Sequence, residues 1–247
     1  MYQGKKIVAT IEARMTSSRL PKKVLLDLCG KPSLQHIVER LKRSKYIDDV
    51  VVATTINETD TPIIDLCEKI NCNYFRGSEE DVLLRVLDAA KSVDADIIVE
   101  ITGDCPVIDW RHADYLIEQF FTEDYDYASN IIQRTFPRGF DTQVFPVSVL
   151  DKVNDLTKVL SDHEHVSLFI YRHPEIFRLY NWIAPTDLFH PEFEITLDTQ
   201  EDYQLIKSIY EELYHKNNDF DCGDVVNLLC QKPQLLDYIE NVKRKHI

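Results

Sequence analysis

The chain has 247 residues, 44% of them hydrophobic and 28% charged, which is enough to bury a sizeable α/β core and excludes global disorder. Its 42 acids outnumber 28 Lys and Arg for a net charge of −14; such a surface repels phosphate backbones and anionic lipid, so neither nucleic acid nor membrane is the expected partner, whereas a small anion held by locally concentrated cations is. No apolar run reaches the roughly 18 residues of a membrane span, no signal-peptide h-region follows Met1, and the six cysteines form no CxxC or metal-ligand spacing, so a cytoplasmic protein with reduced, mostly buried thiols is expected.

In chain order, Lys6 to Ile11 (KIVATI) predicts a short buried strand that ends in a basic stretch. Pro32 and Ser33 open a helical pattern with Leu34, Ile37, Val38 and Leu41 on one face. Asp49 to Thr55 (DVVVATT) lacks alternation, as a strand covered on both faces does. Thr61-Pro62 starts a helix with Thr as N-cap, and Ser78 with Asp81 resembles a capping box before Val82, Leu83, Val86 and Leu87. Ala95 to Thr102 (ADIIVEIT) is a further buried strand, and Asp109 to Phe121 an amphipathic helix. This alternation predicts βαβ units around a mainly parallel sheet. After about residue 125 the rhythm changes. Short strands are expected within 126–149 and 177–184, a helix over 162–173, a strand over 193–197, a long helix from Asp198 to about Tyr214, and a last helix over 224–245 ending in the basic KRKHI tail. The expected organisation is one domain over 1–220 with a β-rich subregion at about 126–195, followed by a helical extension over 221–247.

In open parallel sheets, ligands bind outside the carboxyl ends of the strands. Three segments reach that edge with unusual polar residues. Ala13 to Lys23 (ARMTSSRLPKK) carries four cations in eleven residues of an acidic chain; Arg offers bidentate donors to phosphate oxygens, Lys a mobile point charge, and Ser17 and Ser18 further donors. A solvated basic loop is the plainer reading of the same residues. Thr102-Gly103-Asp104-Cys105-Pro106 and Thr196-Leu197-Asp198-Thr199 each deliver a carboxylate to the edge. Alone, Asp104 reads as a turn former and Asp198 as a helix N-cap. Together with the cationic loop they suggest a triphosphate and its Mg²⁺.

The same motifs carry a resemblance. A-R-x-x-S-x-R-L-P-x-K from Ala13 to Lys23, R-G-S-E-E-D-V-L from Arg76 to Leu83 and T-G-D-C-P from Thr102 to Pro106 resemble the cytidylyltransferases, the family of the CMP-Kdo and acylneuraminate synthetases, and above all its SpsF-like branch of spore coat polysaccharide proteins. Pro137-Arg138-Gly139-Phe140-Asp141, Glu164-His165-Val166 and Leu197 to Asp202 extend the likeness over roughly residues 5 to 215. The resemblance implies a Rossmann-like nucleotide-diphospho-sugar transferase fold. It also implies a Mg²⁺-dependent transfer of CMP from CTP to a small anionic acceptor, with release of pyrophosphate, and a homodimer.

By resemblance, Arg14, Lys23 and Asp104 are the expected catalytic residues. Ala13, Arg14, Ser17, Arg19, Lys23, Arg76, Ser78 and Gly103 would hold the nucleotide. Asp104 and Asp198 would hold Mg²⁺, and Arg138, Asp141, Gln143, Glu164 and His165 would face the acceptor. From the residues alone, His165 reads equally as a packed histidine of a helix. The acceptor is expected to be a sugar acid for surface-glycan synthesis; a phosphorylated small acid or sugar phosphate, and a nucleotide-binding subunit without turnover, are alternatives.

Several positions depart from the family pattern. Thr16 and Lys22 stand where relatives have Gly, Glu12 where Gln or Pro is common, Gln200 where Pro is usual and His163 where Arg often precedes the E-H-V motif. Gly permits positive φ, so these losses bear on how the loop closes. The aromatics Phe136, Phe140, Phe145, Tyr171, Tyr180 and Trp182 are expected at the dimer interface or in a satellite core.

Overall fold

The computed structural model describes residues 1–244. Four parallel strands come from the alternating half: β1 (Ile7–Glu12), β4 (Asp49–Thr55), β5 (Asn73–Gly77) and β6 (Ile97–Thr102). A two-residue hairpin, β2 (Asp27–Leu28) with β3 (Lys31–Pro32), lies between β1 and β4. The sheet continues through β7 (Tyr127–Ser129), β8 (Gln143–Pro146) and β9 (Leu179–Asn181) in the order β5-β4-β1-β6-β8-β7-β9. β8 runs antiparallel to β6 and β7, and β9 parallel to β7. The chain moves from β1 to one edge through β4 and β5, then returns to β6 on β1's other side. The loops after β1 and β6 therefore meet at a topological switch point.

The parallel strands are apolar at nearly every position because both faces are covered. Ile7, Ala9, Ile11, Val50, Val52, Val99 and Ile101 pack against α1 (Ser33–Leu41), α2 (Thr61–Lys69) and α4 (Trp110–Phe120). Val8, Val51, Ala53 and Ile98 pack against α3 (Val82–Ser92), α5 (Val147–Leu156) and α7 (Leu168–Arg172). A third core joins α8 (Gln200–Leu213) and α9 (Cys222–Gln231) to Phe136, Phe140, Phe193, Ile195 and Leu197. The C-terminal helix thus helps build the wall beside the sheet's carboxyl edge. In the 126–195 stretch, β7, β8 and β9 are interleaved with α5, α6 (Leu160–Glu164) and α7.

Several local expectations are corrected. Thr61 is the first helical residue of α2 and Asp60 occupies the cap position, where it makes no side-chain cap bond because its carboxylate is turned to tie the sheet edge. Asp81, not Ser78, caps α3 by accepting from the Leu84 amide at 2.9 Å, while Ser78 Oγ accepts from the Asp81 amide. The helix expected over 162–173 is split into α6 and α7 by buried Val166 at φ 39°, a conformation that a β-branched residue adopts only when its surroundings impose it. Residues 193–197 are extended but make one bridge only, to Arg138, because their neighbours are loops. The last helix stops at Gln231, since Pro233 offers no amide donor and holds Lys232 out of the helical region; a 3₁₀ segment follows over Pro233–Tyr238, and residues 245–247 lie outside the described residues. Phe136, Phe140 and Phe145 are fully buried within the chain, so they are core and not interface; Tyr171, Tyr180 and Trp182 are half-buried.

Candidate active site

A cavity of about 660 Å³ opens at the carboxyl edge of β1 and β6. Its lining includes Glu12 at the end of β1 with Ala13, Arg14, Ser17, Ser18, Arg19 and Lys23 after it, Thr102 at the end of β6 with Gly103 to Cys105 after it, Val82 and Arg85 from α3, and Thr196 and Asp198. Arg138, Asp141, Glu164 and His165 complete it. Five of these residues are cations and five are acids, so the cavity is far richer in positive charge than the chain as a whole. Cations to meet an anion are therefore concentrated here.

The first loop is folded by its own backbone and one buried acid. The Lys22 amide donates to Met15 O at 2.9 Å, and buried Leu20 anchors the turn in the third core. Lys22 itself sits at φ 64°, in the left-handed region, so the loop keeps the glycine conformation without the glycine. Thr16 needs no positive φ; its hydroxyl donates to Glu79 at 2.6 Å. Fully buried Asp60 accepts from the Met15 amide (2.8 Å) and from Thr54 and Thr55 (2.6–3.2 Å), fixing the loop to the end of β4. Nothing local in the sequence singles out Asp60, which reads there as one more polar residue before a helix.

The centre of the cavity is an ion cluster. Lys23 Nζ lies 3.1 Å from Asp104 Oδ2 and 2.8 Å from Asp198 Oδ1, and Arg19 lies 2.9 Å from Asp198 Oδ1. Thr102 Oγ1 donates to Asp104 Oδ1 at 2.6 Å, and Asp104 O accepts from the Leu197 amide, which joins the two acid-bearing loops. Burial works against the Asp104 charge, but Lys23 and the Thr102 hydroxyl outweigh it and hold the carboxyl below its usual range. Burial likewise opposes the Lys23 charge, and the two carboxylates reverse that and raise its pKa. Asp198 is free to face the cavity because Thr199, not Asp198, caps α8, in a reciprocal box with Asp202.

Two carboxylates within reach of one ammonium are close enough to share one cation, and hard oxygen donors suit Mg²⁺. Among the described residues no three or more His, Cys, Asp or Glu form a metal-holding group. A Mg²⁺ here fits as one held by two protein oxygens and completed by water and phosphate.

Gly103 packs the two loops together: its amide donates to Glu12 O at 2.9 Å, and a Cβ there would lie 2.3 Å from that oxygen. Arg14 Nη1 lies 3.2 Å from Glu79, whose carboxylate also accepts from Thr16 and Asn57. Asp141 is held by Arg134 through a two-pronged pair at 2.8 and 2.9 Å, and Arg138 faces Glu194 at 3.2 Å. His165 is half-buried at the end of α6, immediately before strained Val166, and lines the cavity with exposed Glu164.

Three expected site residues are not brought to the cavity. The Arg76 guanidinium folds onto the carbonyls of Thr55, Ile56 and Asn57 at 2.7–3.1 Å. Ser78 is used in the turn before α3. Gln143 is buried on β8 opposite Glu100, where its Oε1 accepts from Tyr127 and Ser167. His163 faces Asp81 at 2.8 Å and Thr157 O at 3.0 Å, so it braces α6 against α3 instead of facing the cavity. In place of these, Arg85 enters the lining, and half-buried Glu12 lies beside buried Glu100. Burial, with Asp104 adding to it, pushes the Glu12 carboxyl up to about 7 against the opposing pull of Glu100 and Arg85; burial and Glu12 drive Glu100 well above the carboxylate range. A single acid inside the apolar run IIVEIT is the signal by which Glu100 could have been found.

Among known proteins, the cytidylyltransferase family model matches residues 8–247, so the match runs through the C-terminal helix. The chain is 33% identical over 234 residues to the spore coat polysaccharide biosynthesis protein SpsF of Bacillus subtilis, covering 92% of this chain and 95% of that one. It is 30% identical over 211 residues to the 3-deoxy-manno-octulosonate cytidylyltransferase of Geobacter metallireducens, covering 74% and 81%. The structure of a cytidylyltransferase from Leptospira borgpetersenii superposes with a TM-score of 0.89 at 32% identity, over 98% of this chain and all of that one. No helix among the described residues is long and apolar enough to cross a membrane. With a mainly parallel sheet whose switch point brings a cationic loop against Asp104 and Asp198, the chain belongs to the cytidylyltransferases.

Proposed function

We propose that this cytidylyltransferase moves CMP from CTP to the hydroxyl of a sugar acid, with Mg²⁺ and with loss of pyrophosphate. The observation that carries the reading is the cluster in which Lys23 bridges Asp104 and Asp198 with Arg19 alongside, in a cavity that also presents Arg14. Each of these cations is held by a carboxylate: Arg14 by Glu79, Arg19 by Asp198 and Lys23 by both Asp104 and Asp198. Triphosphate oxygens exchange for those partners, so the donors are already gathered at the cavity and binding trades one set of charged partners for another.

In the reaction the acceptor hydroxyl gives up its proton to water as its oxygen attacks the α-phosphorus, the bond to the β-phosphate breaks, and the electron pair leaves with pyrophosphate. The protein's part in such transfers is positioning and charge stabilisation. Arg14, Arg19 and Lys23 neutralise the departing pyrophosphate. Asp104 and Asp198 are the residues that would hold Mg²⁺, which when bound neutralises phosphate charge as a Lewis acid. Arg138 and His165 line the cavity and supply donors for an acceptor carboxylate. The names of the SpsF and 3-deoxy-manno-octulosonate relatives support a sugar-acid acceptor and surface-glycan synthesis. The left-handed Lys22 supports a loop that keeps a backbone conformation favoured by glycine, and so an active protein instead of a retired one.

The test is Asp104→Asn, assayed for CTP-dependent pyrophosphate release with Mg²⁺. A loss on the order of 10²–10³-fold is expected from removing one preorganised charge in such a site. Near-normal turnover would remove Asp104 from the mechanism. The homodimer belongs to the same proposal, and a monomeric mass by light scattering at micromolar concentration would refute it.

A further inference from the structure

We infer that Arg244, at the C-terminal end of the described chain, is a positioning residue that orients Asp198 through Asp202. The contacts are direct. Arg244 places Nη2 2.7 Å from Asp202 Oδ1 and Nη1 3.0 Å from Asp202 Oδ2, the two-pronged geometry in which Arg–carboxylate pairs are strongest. The same Oδ2 accepts from the Asp198 amide at 3.1 Å and the Thr199 amide at 2.8 Å. Asp198 then turns its own Oδ1 to Lys23 and Arg19. One chain of charge-assisted contacts therefore runs from residue 244 to the centre of the cavity.

Burial makes this chain consequential. Asp202 is 1% exposed and the Arg244 side chain 12%. A carboxylate so buried needs a cation, and without one it turns toward water. That change weakens its grip on the 198 and 199 amides and frees the backbone that aims Asp198. Arg244 also lines a second cavity with Glu194, the residue that pairs with Arg138 on the acceptor side. The last segment of the chain thus lies behind both the Asp198 and the Arg138 walls of the site. This gives the extension past α9 a role in chemistry, resting on the reading of Asp198 as a metal-side carboxylate.

The experiment uses the full chain. Mn²⁺ binding is followed with CTP present by the electron paramagnetic resonance signal of free Mn²⁺, and CTP binding is followed calorimetrically without metal. Arg244→Met is expected to weaken Mn²⁺ binding about tenfold, as loss of an outer-shell partner does, with metal-free CTP binding unchanged within about twofold. Arg244→Lys keeps the charge without the fork; an intermediate loss is expected, and it carries the test if the Met variant does not fold. In a cycle with Asp202→Asn, the double variant should be no worse than the worse single one. Unchanged Mn²⁺ binding in a folded Arg244→Met protein would overturn the inference. So would a parallel fall in metal-free CTP binding, which marks general loosening. A wild-type protein that binds no Mn²⁺ with CTP would overturn the inference together with the reading beneath it.

Discussion

Glu12→Gln tests the electrostatics of the cavity floor. In the folded chain burial pushes the Glu12 carboxyl up to about 7, from an ordinary value of 4.5. The native state thus keeps a proton that the unfolded chain has lost, and its stability falls as pH rises from 4.5 through about 7. Above that window the charge costs a few kcal/mol, at about 1.4 kcal/mol for each tenfold change in the protonation equilibrium. The neutral amide introduced by the substitution carries no such cost and can donate to Glu100. Arg85 loses its attraction to Glu12 in the variant, which offsets part of the gain, so a net stabilisation of about 1–2 kcal/mol is expected at pH 8. For a chain of this size that is a rise in melting temperature of roughly 2–8 °C. At pH 5 the wild-type carboxyl is already protonated and the two proteins should melt nearly together. Calorimetric melting of both at pH 5 and pH 8 is the assay. A difference that stays constant with pH, or a variant less stable at pH 8, would refute the reasoning about Glu12 and Glu100.

Other changes have equally definite outcomes. Gly103→Ala drives a Cβ to within 2.3 Å of Glu12 O, a backbone atom that cannot step aside. It should destabilise by about 1–3 kcal/mol, read as a lower urea midpoint with unchanged slope. Lys22→Gly relieves a left-handed side chain while adding unfolded-state entropy, so melting should move by no more than about 3 °C. Lys22→Val places a β-branched residue at φ 64° and should lose about 1–2 kcal/mol against the Gly variant in the same melts. Glu79→Gln removes the carboxylate that holds Arg14 at 3.2 Å. Because the pair is partly exposed, CTP binding measured by calorimetry should tighten by about fivefold at most.

Legibility in the sequence follows how local each signal is. The strands β1, β4 and β6 and the helices α1, α3 and α4 declare themselves in runs of neighbouring residues, and so does the loop whose four cations stand out in an acidic chain. Asp104 and Asp198 are readable as acids at the ends of extended segments. Gln143 misleads because its place on β8 points it at Tyr127 and Ser167, a matter of strand parity that the sequence leaves open. Arg76 misleads because its guanidinium is satisfied by three carbonyls of the preceding crossover. Asp60, Glu79 and Arg244 act across separations of 45, 65 and 42 residues, and single polar residues with distant partners leave no periodicity to find.

The most direct measurement is pyrophosphate release by the full chain with Mg²⁺, comparing CTP with ATP, GTP and UTP over a panel of sugar acids and phosphorylated small acids. The account predicts release with CTP and a sugar acid, and none when Mg²⁺ is chelated. Release with another nucleotide in preference to CTP, or undiminished release without a divalent cation, would contradict it.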